Sequence, residues 1–328
     1  MIEDIMAPAS QPIKRSKQQR LGQELIERIY KKNINAGGSF SSILGAPGAG
    51  KTSGMLSLCN MIMKKNPSEL IYWSSSYGAP LQFFPIYKYH ILVKEGMDIT
   101  FFDRFKNEEV NLQVTTFTDF EDLYNKSKTG CLNCVFFGDR SVWMSWTEFL
   151  MSKGGWHTIA FDEISEITPS FTGGQMFKRI GYFANHVVGQ TRKCGITILS
   201  NTQSPVDTDY RVRKKLNMFI FFAGSRIPKN ATRVTQKAVD NLREDHINGS
   251  QCYISAGGRF GVIRFTDIFT PLPNWSVEAR SPYRSEINYG IETPEQATNS
   301  NDTRRCSSES NRVNEPNQFE DFRNTLPC

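Results

Sequence analysis

The stretch Ser39-Phe40-Ser41-Ser42-Ile43-Leu44-Gly45-Ala46-Pro47-Gly48-Ala49-Gly50-Lys51-Thr52 decides how this chain is read. Ser39 to Leu44 has the makings of a short strand, and Gly45 to Thr52 fits the spacing of a phosphate-binding loop. Met55, Leu58, Cys59 and Ile62 then recur at helical spacing, which predicts a helix from Lys51 to about Lys65, ended by Pro67. In such a loop, glycines let backbone N–H groups converge on phosphate oxygens, and the helix N-terminus adds its dipole. Gly45, Ala46, Pro47, Gly48, Ala49, Gly50, Lys51, Thr52 and Ser53 are therefore expected to bind ATP. Lys51 would reach the β- and γ-phosphates, and the Thr52 hydroxyl would bind Mg²⁺.

A P-loop NTPase also needs a carboxylate at the end of a neighbouring strand. Thr158-Ile159-Ala160-Phe161 is a short apolar strand ending in Asp162-Glu163. Asp162 is the expected Mg²⁺ partner, and Glu163 the residue that would orient and polarise the attacking water. An acid pair here favours hydrolysis over mere nucleotide sensing; the competing reading is an exposed strand end. A third strand, Ile196 to Ser200, leads to Asn201-Thr202-Gln203, where Gln203 is the candidate γ-phosphate sensor or else a turn residue before Pro205.

Outward from these motifs, strands alternate with helices. Strands are expected over Leu70 to Trp73, Val110 to Thr116, Cys131 to Phe137 and Met218 to Phe222. Helices are expected over Asp119 to Lys126, Ser141 to Met151, Gly174 to Val188 and Ala231 to Leu242, with a basic helix over Asp207 to Leu216. Gln251 to Ser255 and Gly261 to Phe265 read as a hairpin across Gly257-Gly258. This alternation implies an α/β fold, a mostly parallel sheet flanked by helices with a C-terminal β-hairpin. The expected organisation is a basic arm and short helix over 1–37, an ATPase domain over 38–272, and a disordered tail over 273–328. Residues 77–106, rich in aromatics among Lys88, Lys94, Arg104 and Lys106, read as an insertion with helix around Tyr87 to Val93.

The three ATPase elements together resemble the FtsK–HerA superfamily, most of all the genome-packaging ATPases of double-stranded DNA viruses with double-jelly-roll capsids. The run from Arg192 through Cys194-Gly195-Ile196 to Thr202-Gln203 carries this resemblance, because a basic residue and a glycine precede an apolar strand ending in Thr-Gln. The basic stretch Arg211-Val212-Arg213-Lys214-Lys215 before the next strand also fits. The resemblance implies a RecA/FtsK-like core assembled into a ring, a hexamer in most of the family, with ATP at subunit interfaces. It further implies double-stranded DNA as partner, a capsid or vertex protein as another, and an arginine acting in trans. Arg192 is the first candidate for that arginine, with Arg179, Arg211 and Arg213 behind it.

Composition sets outer limits. The 328 residues are 39% hydrophobic, enough for a large core. No run approaches the length of a membrane span and no signal peptide is visible, so a soluble intracellular protein is expected, in host cytoplasm or nucleus or in the virion if viral. The seven cysteines are scattered; Cys131 and Cys134 form a lone CxxC that reads as core thiols or as half of a metal site. From Pro271 onward there are six Lys+Arg and nine Asp+Glu, a net of −3, which leaves +9 on the first 270 residues. A basic body fits a polyanionic partner, though many basic proteins have none. Two other readings stay open: a phage-assembly ATPase of the zonula-occludens-toxin type, and a regulatory module that uses ATP as a switch.

Overall fold

The alternating strand and helix signals resolve, in the computed structural model, into one ten-stranded sheet and a second sheet of four. The structure describes residues 16–31, 37–77, 80–81, 88–103, 106, 108–227, 233–242, 251–264 and 277–281. In chain order the first half comprises α1 (Lys17–Tyr30), β1 (Phe40–Leu44), α2 (Lys51–Lys65), β2 (Leu70–Ser74), β3 (Pro80–Leu81), β4 (Tyr89–Lys94), β5 (Thr100–Asp103), β6 (Glu108–Glu109), β7 (Val114–Phe117), α3 (Phe120–Lys126) and β8 (Leu132–Phe136). The second half comprises α4 (Val142–Met151), β9 (His157–Phe161), α5 (Gly174–Tyr182), a π-helical segment (Phe183–Val188), α6 (Gly189–Thr191), β10 (Ile196–Thr202), α7 (Tyr210–Arg213), β11 (Met218–Phe222), α8 (Arg233–Asp240), β12 (Gln251–Ala256), β13 (Arg259–Arg264) and β14 (Val277–Arg280).

The large sheet runs β13-β12-β11-β1-β10-β9-β2-β8-β4-β7. All its strands are parallel except β12 and β13, the antiparallel hairpin at one edge. Parallel strands covered on both faces are mostly apolar, and β1, β8 and β9 are buried at every position, the polar Ser41, Ser42, Asn133, His157 and Thr158 included. Alternate residues serve opposite faces: Ile71 and Trp73 join one core with Leu25, Ile26, Met55 and Leu58 of α1 and α2. Tyr72 joins the other with Leu123, Trp143, Trp146 and Ile180 of α3, α4 and α5. Each such aliphatic side chain, once fully buried, contributes about 1.5–3 kcal/mol.

Helix α1 starts with a capping box, in which Ser16 and Gln19 exchange side chain to backbone hydrogen bonds. It lies directly on β13 because glycines meet there. A Cβ on Gly261 would come within 2.3 Å of the Gly22 nitrogen.

Four expectations need correction. Of the stretch Tyr87 to Val93, the described residues 88–93 are not helical. Tyr89–Lys94 is strand β4, hydrogen-bonded between β8 and β7 inside the large sheet. His90-Ile91-Leu92-Val93 is buried throughout, and a short apolar run of this kind has no periodicity that separates helix from strand. Residues 77–106 are therefore in part core sheet. Second, the strand expected over Val110 to Thr116 forms only at Val114–Phe117. Third, the basic helix is one turn, Tyr210–Arg213, preceded by a 3₁₀ turn at Pro205–Asp207. The tail expected to be disordered from 273 contains β14, which pairs antiparallel with β5 and with β3. Val277 and Ala279 of β14 are fully buried. The basic arm over 1–15 and the tail beyond 281 lie outside the described residues.

Cys131 and Cys134 are buried free thiols, and burial raises the pKa of both. That opposes the thiolate form a metal would need, so the core reading holds. Among the described residues no helix is long and apolar enough to cross a membrane.

Candidate nucleotide site

Strand register assembles the site. Leu44 lies opposite Thr202, and Phe161 opposite Ser200, so the chain leaves β1, β9 and β10 at one edge of the sheet. Crevices at the carboxyl ends of parallel strands are where α/β folds bind ligands.

The loop between β1 and α2 uses Gly48 at φ 78° and Gly50 at φ 87°, left-handed values that a side chain would strain. A Cβ on Gly45 would crowd Ala49 Cβ and Lys51 Cγ, both at 3.2 Å. The cradle is thus shaped by what these positions lack. Lys51 Nζ donates to the Ala46 carbonyl at 2.9 Å. Burial lowers the Lys51 pKa, while Glu163 and Asp162 act to raise it.

Thr52 Oγ1 donates to Asp162 Oδ1 at 3.1 Å, across 110 residues of sequence. A hydroxyl and a carboxylate oxygen this close, at the start of α2, form a hard-oxygen pair that suits Mg²⁺. Magnesium takes few protein ligands and completes its shell with water and phosphate, so Thr52 and Asp162 are the residues that would hold it. The Asp162 backbone N–H donates to Ser74 Oγ at 2.9 Å, which ties the acid to the end of β2.

Asn201 is the residue that sequence reasoning passed over. It is buried as the sixth residue of β10. Its Nδ2 donates to Asp162 Oδ1 at 2.6 Å, and its Oδ1 accepts from the Glu163 N–H at 2.7 Å. One amide therefore joins the Asp162 carboxylate to the Glu163 backbone. Gln203, the expected sensor, is exposed just past the strand end. The motif Asn201-Thr202-Gln203 flagged the place, but only burial picks the member. Glu163 is the only described non-glycine residue with positive φ, at 62°. Backbone strain of this kind collects where a side chain must be aimed. Its carboxylate accepts from Ser165 Oγ.

Burial raises the Asp162 pKa; hydrogen bonds from Asn201 and Thr52 pull it down, Glu163 pushes it up and Lys51 pulls it down. A carboxyl whose folded value exceeds its unfolded value holds its proton more readily when folded. Its contribution to stability is full below the unfolded value and is lost as pH rises through the folded one. At neutral pH the charge on Asp162 is thus a cost to the ligand-free fold. Asp162→Asn is expected to raise Tm by about 2–4 °C at pH 7.5 without ligand, with the gap closing in acid. The same variant should lose the stabilisation that Mg²⁺ and ATP give the parent, which thermal melts would show.

The arginines are scattered. Arg192 lies at the opposite edge, before β10, where its carbonyl accepts from the Gly38 N–H. It cannot reach the phosphate loop of its own chain. Arg179 donates to Ser141 Oγ and Ser145 Oγ and ties α5 to α4. Arg211 is held by Asp209 and lies over the Phe177 ring, 3.9 Å from its centroid. Arg213 sits half-buried in the same short helix.

No family model and no curated protein matches the sequence. Several solved structures are similar in fold. The genome packaging NTPase B204 from Sulfolobus turreted icosahedral virus 2, in complex with ATP-gammaS, is 12% identical, covers 74% of this chain and 100% of its own, and has a TM-score of 0.47. The N-terminal domain of zonular occludens toxin from Neisseria meningitidis is 14% identical, covers 72% and 100%, and has a TM-score of 0.32. The pCW3 conjugation coupling protein TcpA is 10% identical, covers 71% and 61%, and has a TM-score of 0.40. Likeness this distant leaves function to be read from the site itself. On its own geometry, with a glycine-shaped loop between β1 and α2 facing an acidic strand end, the chain has the P-loop NTPase fold.

Proposed function

We propose that this protein is an ATP-hydrolysing motor that translocates double-stranded DNA and packages a viral genome into a capsid. The observation that carries hydrolysis is the junction of Thr52, Asp162, Asn201 and Glu163 at the end of three adjacent strands. In this reading, backbone amides from Gly45 to Lys51 surround the phosphates, and Lys51 swings from the Ala46 carbonyl to the β- and γ-oxygens. Mg²⁺ at Thr52 and Asp162 supplies charge neutralisation when bound. Glu163 orients the attacking water and accepts its proton. Asn201 links the Asp162 carboxylate to the Glu163 backbone, so it would pass a change at the phosphate into β10.

The step from ATPase to DNA motor rests on the resemblance of the Arg192–Gln203 segment and on charge. A motor grips phosphates without reading bases, so Lys and Arg must meet the duplex. Lys214 and Lys215 are exposed beside α7. Tyr210, Phe177 and Phe171 are also exposed there, with Phe171 at 94%. Residues 77–106, where aromatics are interleaved with basic residues, are less apt for this, since β4 is buried in the sheet. Arg192, which lies before β10 at the far edge, would then act on the ATP of a neighbouring subunit. The ring, a hexamer in this reading, would consist of six 37.3 kDa chains.

The test is ATP turnover with and without duplex and single-stranded DNA, with particle mass measured on the same sample. Turnover is expected to rise several-fold on duplex DNA and to lose that rise as salt increases. Turnover indifferent to DNA, or a strict monomer at all concentrations, would remove the motor reading and leave the ATPase.

A further inference from the structure

Arg140 belongs to none of the motifs, yet it stands beside the acid pair. It follows β8, two strands away from β9, and sequence alone gives no reason to single it out. In the fold its guanidinium pairs with Glu166. Glu166 lies in the 3₁₀ turn Ile164–Glu166, which follows directly on Glu163. A cleft of about 110 Å³ between the loops after β2 and β8 is lined by Ser75, Ser76, Tyr77, Asp139, Arg140 and Trp143. An adjoining hollow carries Arg140 on to Ser74, Asp162 and Ile167. Burial lowers the Arg140 pKa, and the charges of Asp162 and Glu163 oppose that shift. Arg140 thus shares a wall of this hollow with Asp162, on the side of β9 away from the phosphate loop.

Its pairing geometry explains more than stability does. A pair with side chains 34% and 44% exposed adds little to the fold. What it does fix is a short turn whose first residue, Glu163, holds a left-handed backbone. Asn201 anchors that turn at the Glu163 N–H, and the Thr168 N–H bonds the Ile164 carbonyl at its end. The Arg140–Glu166 pair supplies a third anchor, from a different strand.

We infer that Arg140 is a positioning residue for hydrolysis, holding the turn Glu163–Ile167 through Glu166 so that the Glu163 carboxylate is aimed for reaction. This inference rests on the proposed hydrolysis and makes no claim of contact between Arg140 and nucleotide. A residue acting this way affects the rate of the chemical step and spares ATP binding.

Steady-state ATPase measurements on the full chain test it. Arg140→Ala and Glu166→Gln are each expected to lower kcat by about 10- to 100-fold, the scale of a misplaced catalytic group, with KM for ATP within about twofold. The double variant should be no slower than the slower single variant, since both substitutions cut one link. Arg140→Lys should restore part of the rate. Melting curves and binding of a fluorescent ATP analogue confirm that each variant is folded. Unchanged kcat in both single variants overturns the inference and leaves the hydrolysis reading standing. So does a raised KM in Arg140→Ala with Glu166→Gln normal, which would assign Arg140 to the nucleotide directly. A parent protein without turnover overturns the hydrolysis reading, and this inference with it.

Discussion

Lys51→Ala is expected to lower ATP turnover by about 10²–10³-fold, the loss that follows when a preorganised donor to developing charge is removed. The physical case is local. The loop offers backbone dipoles, and Lys51, the first residue of α2, offers its one full positive charge. No other cation stands in the loop, so nothing there replaces the missing charge. Lys51→Arg should not rescue, because a planar guanidinium neither fits nor rotates in a cradle shaped for a slim ammonium. The fold should survive, since Lys51 bonds the loop's own Ala46 carbonyl and not the core. Turnover, nucleotide affinity and melting temperature of the variant make the check. Turnover at the parent rate would show that the phosphates do not bind at this loop.

Glu163→Gln is expected to keep ATP and Mg²⁺ binding while lowering turnover by about 10²–10⁴-fold, the range for loss of a general base. Glutamine matches glutamate in shape and can still accept from Ser165, so the turn should remain in place. What it cannot do is take a proton from water. The variant should therefore collect in the ATP-bound state, which a filter-binding assay with labelled ATP would register alongside the rate. Parent-level turnover would move the base elsewhere. Asp162→Asn differs in kind: it should lose the Mg²⁺-dependent gain in stability as well as the rate. The pair of variants thus separates holding the metal from activating the water.

The phosphate loop and the acid pair were legible in sequence because each is a short contiguous run whose chemistry depends on its own backbone. Gly48 and Gly50 need left-handed φ wherever the loop is placed, and α2 forms over Lys51–Lys65 as its periodicity requires. Strands β8, β9 and β11 were legible for a related reason, to within a residue at each end: strands buried on both faces leave mostly apolar runs. The same rule misled at Tyr87 to Val93, where an apolar run among aromatics has no period to identify it.

What tertiary structure decided are the pairings between distant segments. Position 201 ranks ahead of 203 only because β10 runs beside β9 in a register that puts Asn201 level with Asp162. Arg140 reaches Glu166 only because a strand and a helix separate them in sequence while the sheet brings their ends to one edge. Strand β14 is ordered because β5, some 175 residues earlier, offers it an open edge. Residues 39–52, taken alone, determine that a triphosphate has a place to bind. Which side chains then surround it is a matter of strand order and register, which depend on long-range burial and backbone hydrogen bonding that no local run of residues encodes.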